Sequence, residues 1–118
     1  SGWQTYVKLE RKPLLEALDR ASLFSREKDG TLVVTFHIEN NLLHIATASE
    51  FGRVDENLPV YQEGETVDIS FNARYLSEAL KAMEDSHLDL TFNGSMGPCV
   101  VKPQAADKYL YLLLPLRR

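Results

Sequence analysis

A strand-then-helix cassette occurs twice in this chain, and the duplication constrains the fold more than any other feature. Val7-Lys8-Leu9 followed by Leu14-Leu15-Glu16-Ala17-Leu18 is echoed, at the same spacing, by Ile69-Ser70-Phe71 followed by Leu76-Ser77-Glu78-Ala79-Leu80. A similar triplet comes after each helix, Val34-Thr35-Phe36 and Leu90-Thr91-Phe92. Each half therefore reads as strand, helix and several strands, and a duplicated unit of this kind sets two helices side by side against sheet. No linker or low-complexity run divides the 118 residues, which suit one α+β domain with a single core.

The first helix is expected to start near Pro13, because proline is tolerated in a first turn. Leu14, Leu15, Leu18 and Ala21 give it a buried stripe. The second begins after Asn72, whose side chain can accept a free amide of the first turn. Its stripe is Tyr75, Leu76, Ala79, Leu80 and Met83, with Arg74, Glu78 and Lys81 opposite. Between the helices, Val34, Phe36 and Ile38 alternate with Val33, Thr35 and His37. Asn40-Asn41 can turn the chain tightly, since Asn tolerates positive φ. Leu43 and Ile45 then return on the face of Phe36 and Ile38. Pro59 and Glu63-Gly64-Glu65 break the third strand from the second half, and further turns are read at Asn93–Pro98 and Gln104–Asp107.

The tail Tyr109-Leu110-Tyr111-Leu112-Leu113-Leu114-Pro115-Leu116-Arg117-Arg118 carries an apolar run almost to the end of the sequence, where chains are usually polar and frayed. Such a run is expected as a strand buried on both faces. Pro115 lacks a backbone donor, so the strand is expected to leave the ladder there, with Leu114, Leu116 and Arg117 at a rim. The run reads equally as a core strand and as a surface that receives something.

Composition excludes several classes. The formal charge of −4 does not announce a nucleic-acid binder, and no apolar stretch approaches a membrane span. The lone Cys99 cannot form an internal disulfide and suits a reducing, cytoplasmic compartment. It reads as a buried, inert thiol. His37 is expected to stand across the hairpin from His44, but His87 is distant and no carboxylate completes an obvious metal set. With no nucleophile elbow and no phosphate-cradling glycine loop, neither catalysis nor a cofactor is expected.

Together, the segment Ile69–Met83 and the Tyr-Leu-Leu-Leu-Pro-Leu-Arg tail resemble the bacterial DNA polymerase III beta subunit, the sliding clamp, in its third, C-terminal domain. The likeness covers residues 5–118, leaving residues 1–4 as linker or expression-derived. It implies a DNA-clamp fold in a non-catalytic processivity factor: helices lining a hole around duplex DNA, sheets forming the outer wall, and two subunits of three such domains joined head to tail. It also implies a pocket for short peptide motifs of the polymerase III catalytic subunit, the clamp loader and repair polymerases. The matching pocket positions are Asn72, Tyr75, Met96, Pro98, Leu112, Leu113, Leu114, Pro115, Leu116 and Arg117. Leu23 and Phe24 match the apolar ring-closing contact, with Glu50, Asp55 and Glu56 as its acidic support, interrupted by Arg53. Arg11, Lys12, Arg20, Arg74 and Lys81 would face DNA phosphates without reading bases. Arg118 stands where the family commonly ends in an apolar residue. A chain of this domain alone is expected to be monomeric.

Two other readings stay open on the residues alone. One is an α+β peptide-binding module outside any ring. The other is a small enzyme using His37 and His44 as metal ligands.

Overall fold

The computed structural model describes residues 2–23, 32–49, 52–103 and 110–116. In chain order the elements are β1 (Thr5–Glu10), α1 (Arg11–Ser22), β2 (Val33–Glu39), β3 (Leu42–Ser49), β4 (Gly52–Pro59), β5 (Tyr61–Gly64), β6 (Val67–Asn72), α2 (Arg74–Ala82), β7 (His87–Phe92), β8 (Cys99–Pro103) and β9 (Tyr111–Leu113). The duplicated cassette is present, and each half lends its leading strand to the other. Antiparallel sheets run β5-β1-β7-β8-β9 and β4-β3-β2-β6, so β1 joins the strands of the second half and β6 those of the first. That exchange ties the halves into one core.

Period-two burial along β1, β2, β6, β7 and β8 turns one face of each sheet inward. Those faces meet the stripes of α1 (Leu14, Ala17, Leu18) and α2 (Leu76, Ala79, Leu80) in one cluster of buried side chains, and Ala21 of α1 is buried as well. Phe36 and Phe71, on neighbouring strands, pack edge to face with centroids 4.8 Å apart. Leu15, expected in the stripe of α1, is only half-buried, and Ala17 takes its place.

The start of α1 falls at Arg11, two residues before Pro13, for a tertiary reason. The Arg11 amide donates to Ser86 O (2.9 Å), and its guanidinium donates to Leu80 O and Asp85 O, both at 2.8 Å. Pro13 then sits inside the first turn. The hairpin forms as read: Asn40 and Asn41 adopt φ of 55° and 63°, and Phe36 faces Ile45 while Ile38 faces Leu43.

Two of the passages between the sheets fall at a proline. After Pro59 the chain leaves β4 for β5, a strand the sequence does not announce, which pairs with the outer edge of β1. Gly64 ends β5 with φ of 92°, where a Cβ would lie 2.2 Å from Gln4 O, so only glycine fits. After β9, Pro115 bridges Phe71 and the Leu116 amide donates to Ser70 O (2.7 Å), covering the outer edge of β6. The tail is thus not the central, doubly buried strand its composition implies. β9 is an edge strand with only Leu113 buried, and beyond Pro115 the chain joins the second sheet. The Gln104–Asp107 turn lies outside the described residues.

Candidate peptide-binding groove

Where the tail passes from one sheet to the other, it runs beside the first turn of α2. Alternation along β9 sends Leu113 inward and leaves Leu112 and Leu114 outside, Leu114 being 74% exposed. Tyr75, expected on the inner stripe of α2, also turns outward and is 68% exposed. Its position one residue into the helix lies beyond the closed part of the core, toward the tail. Asn72 is one residue before the helix N-cap, Ala73, and its Oδ1 accepts from both the Arg74 amide (3.0 Å) and the Leu32 amide (3.1 Å). The N-cap thus falls one residue later than expected, at Ala73, which makes no side-chain cap bond; Asn72 still reaches the first helical amide from outside the cap, and the same oxygen fixes the start of β2.

Asn72, Tyr75, Leu112, Leu113, Leu114 and Leu116 enclose a cavity of about 450 Å³. Pro115 holds the tail to β6 behind it. Met96 is exposed across Leu116, lining an adjoining hollow of about 200 Å³. Pro98 lines neither hollow, and Arg117 lies outside the described residues. On the other side of Tyr75 a hollow of about 340 Å³ takes in Ala79, Ala82 and Tyr111 as well as Leu112. The sequence reading did not include these three. Their signal was present, since Ala79 and Ala82 follow Tyr75 at helical spacing and Tyr111 alternates with Leu113.

The two helices pack side by side. Arg11, expected to face DNA, is instead consumed by the carbonyls at the C-terminal end of α2. Arg20 is exposed but grips Glu56 of β4, with Nη2 2.7 Å from Oε1 and Nε 2.9 Å from Oε2. A residue expected at DNA and one expected at a subunit contact are thereby paired with each other. Lys81 lies 3.8 Å from Asp19, and Lys12 and Arg74 are exposed. At the β4 edge of the second sheet, Asp55 takes Arg53 Nε (2.7 Å) and lies 2.8 Å from His44, and these partners hold its carboxyl below the usual range. Leu23 closes α1 and is 73% exposed, which removes it from the core. Phe24 and Glu50 lie outside the described residues.

The family described as DNA polymerase III beta subunit, C-terminal domain, matches residues 2–117. The chain belongs to that family. It is 33% identical over 112 residues to the beta sliding clamp of Synechococcus elongatus, covering 94% of this chain and 30% of that protein. With the Staphylococcus aureus beta sliding clamp it shares 32% over 118 residues, 98% of this chain and 31% of the relative. Among solved structures, the DNA polymerase sliding clamp of Bacillus subtilis superposes with a TM-score of 0.92 at 31% identity, covering 100% of this chain and 32% of that one. The DNA polymerase III beta subunit of Thermotoga maritima gives 0.90 at 31%, covering 98% and 31%. The chain spans less than a third of the length of these relatives.

Outside the groove, this clamp-family domain carries a polar cluster on the outer face of β2, β3, β4 and β6. His37 and His44 face each other in register. His37 Nδ1 lies 2.6 Å from Asp68 and Nε2 3.1 Å from Glu39; both acceptors are carboxylates, so the ring satisfies both only as imidazolium. Its pKa is raised accordingly, chiefly by the Asp68 bond and then by Glu39. His44 is held by Asn57 (2.7 Å) and Asp55 (2.8 Å). Among the described residues no group of three or more His, Cys, Asp or Glu is arranged to hold a metal. Cys99 is buried, which pushes its thiol up to about 12 and keeps it protonated. No helix among the described residues is long and apolar enough to cross a membrane.

Proposed function

We propose that this chain acts as the C-terminal domain of a ring-shaped, non-catalytic clamp that encircles duplex DNA and tethers the replicative polymerase. Its groove receives short peptide motifs of polymerase, clamp-loader and repair proteins. The carrying observation is the cavity between α2 and the tail, where Tyr75, Leu112 and Leu114 stay exposed around a floor set by Leu113 and Leu116. Fully burying a leucine side chain is worth about 1.5–3 kcal/mol, so a partner that covers this wall gains what the free domain forgoes. Leucine side chains and the aromatic Tyr75, with its polar tip, suit peptides that carry spaced Leu or Phe residues beside a Gln. Duplex DNA contacts are non-specific and weak in this chain, because Arg20 and Lys81 already face Glu56 and Asp19.

The test is a titration with such a peptide, followed by amide chemical shifts. Perturbations are expected at Asn72, Tyr75, Leu114 and Leu116, with a dissociation constant weaker than about 1 µM, since an open groove must order a flexible ligand. Unchanged shifts at Tyr75, Leu114 and Leu116 at millimolar peptide overturn the assignment.

A further inference from the structure

The groove does not end at Leu116. That side chain walls both the 450 Å³ cavity and the 200 Å³ hollow beyond it, where Ser70 and Met96 take over. Thr35 and Asp68 close the far side of this hollow and, from their other side, open a trough of about 360 Å³ on the outer face of the second sheet. Three depressions with shared walls thus lead from the tail across β6 and β2 to β4. The trough has a floor of small side chains, including Ala46 and Ala48, between Arg53 on one flank and the His37–His44 pair on the other.

We propose that this trough receives an aromatic side chain carried by the continuation of the same peptide, beyond the part held beside Tyr75. The inference rests on the peptide-binding reading given above. A metal ion is disfavoured, since both nitrogens of each imidazole already face oxygen partners. An anion is disfavoured too, because Glu39, Asp55 and Asp68 surround the cations and would repel it. A flat neutral ring meets neither objection. It lies on the alanine methyls and stacks against the guanidinium plane, which the Arg53–Asp55 bond fixes in place. Strands lie about 4.8 Å apart, so from the tail beside β6 to the alanines of β3 is three spacings, roughly 14 Å. An extended peptide advances about 3.3 Å per residue, which sets the ring about four residues beyond the side chain packed on Leu116.

Peptides sharing one Gln- and Leu/Phe-bearing core, with a short spacer ending in Tyr or in Ala, test this directly. The extension is placed at the N-terminus in one pair and at the C-terminus in another. In one orientation the Tyr peptide should bind about fivefold tighter than its Ala partner, with added shifts at Ala46 and Ala48. Ala48→Glu, which fills the trough, and Arg53→Gln, an exposed change that leaves the fold alone, should each abolish that advantage while leaving core-peptide affinity unchanged. Equal affinity of Tyr and Ala peptides in both orientations overturns the trough while the groove stands. Failure of every peptide, the core included, overturns both readings.

Discussion

Arg20 of α1 and Glu56 of β4 form a two-pronged pair, with contacts of 2.7 and 2.9 Å, that ties the helix face to the β4 edge of the second sheet. Arg20 is exposed, and the Glu56 side chain retains 22% exposure, so the pair faces solvent at a point where helix and edge meet. The guanidinium cannot serve a phosphate fully while it serves Glu56. Glu56→Gln is therefore expected to strengthen duplex binding, by less than about fivefold at low salt, and Arg20→Gln to weaken it. Fluorescence anisotropy with a labelled duplex reads both. Weaker binding by the Glu56 variant would show that Arg20 needs Glu56 to be held toward DNA.

Arg11 predicts the opposite pattern. Its guanidinium donates to Leu80 O, which also accepts from the Met83 amide, and to Asp85 O just beyond α2, tying the start of α1 to the chain that leaves α2. Arg11→Ala should cost about 1–3 kcal/mol in urea denaturation and leave duplex affinity unaltered. Lysine should restore little, since it lacks the planar fork that reaches two carbonyls. A variant that folds with full stability but loses DNA binding would return Arg11 to the DNA-facing set.

Much of this was legible because the signals are local. The hairpin needed only period-two alternation and two asparagines able to take positive φ, and the His37–His44 pairing followed from it. The duplicated cassette predicted two adjoining helices. The exchange of β1 and β6 between halves, by contrast, is a matter of partners remote in sequence. So is β5, whose Tyr-Gln-Glu-Gly becomes a strand only through pairing with β1. The tail misled by composition: Leu112 and Leu114 look like core but point outward, because alternation along β9 sends only Leu113 to the covered face of the sheet. Arg11 and Arg20 were visible as basic residues, but Ser86, Leu80 and Glu56, which decide their roles, were not.

Asn72 holds two amides with one oxygen, those of Leu32 and Arg74. Asn72→Ala strands both and should cost about 1–2 kcal/mol, read from thermal or urea unfolding. Asn72→Asp keeps the acceptor and should recover most of that stability. If alanine is as stable as wild type, water replaces the side chain and the residue's role belongs to the groove alone.

His37 gives the domain a shallow pH dependence. Its folded pKa lies above the ordinary 6.5, raised by Asp68 and then by Glu39. A raised folded pKa means the contribution is fully present below pH 6.5 and is lost as pH rises through the folded value. Because these side chains are well exposed, the melting temperature should fall by only about 1–2 °C over that range. Asp68→Asn should flatten the slope, and the imidazole resonances of His37 should titrate at a lower pH in that variant. An unchanged titration would show that Asp68 does not hold the ring in solution.

Leu23 separates core from contact surface at the end of α1. It is 73% exposed, whereas Leu14, on the same helix, is fully buried. Truncating Leu14 to alanine empties space in the shared core and should cost about 2–5 kcal/mol. Leu23→Ala removes a side chain that touches mostly water, so its effect should stay within about 0.5 kcal/mol. Urea denaturation of both variants gives the comparison. If the exposed leucine is a contact for another subunit, Leu23→Ala in a longer clamp chain should lower dimer stability in sedimentation while this domain keeps its own. A loss comparable to that of Leu14→Ala within this chain would place Leu23 in the core and remove it from the ring-closing surface.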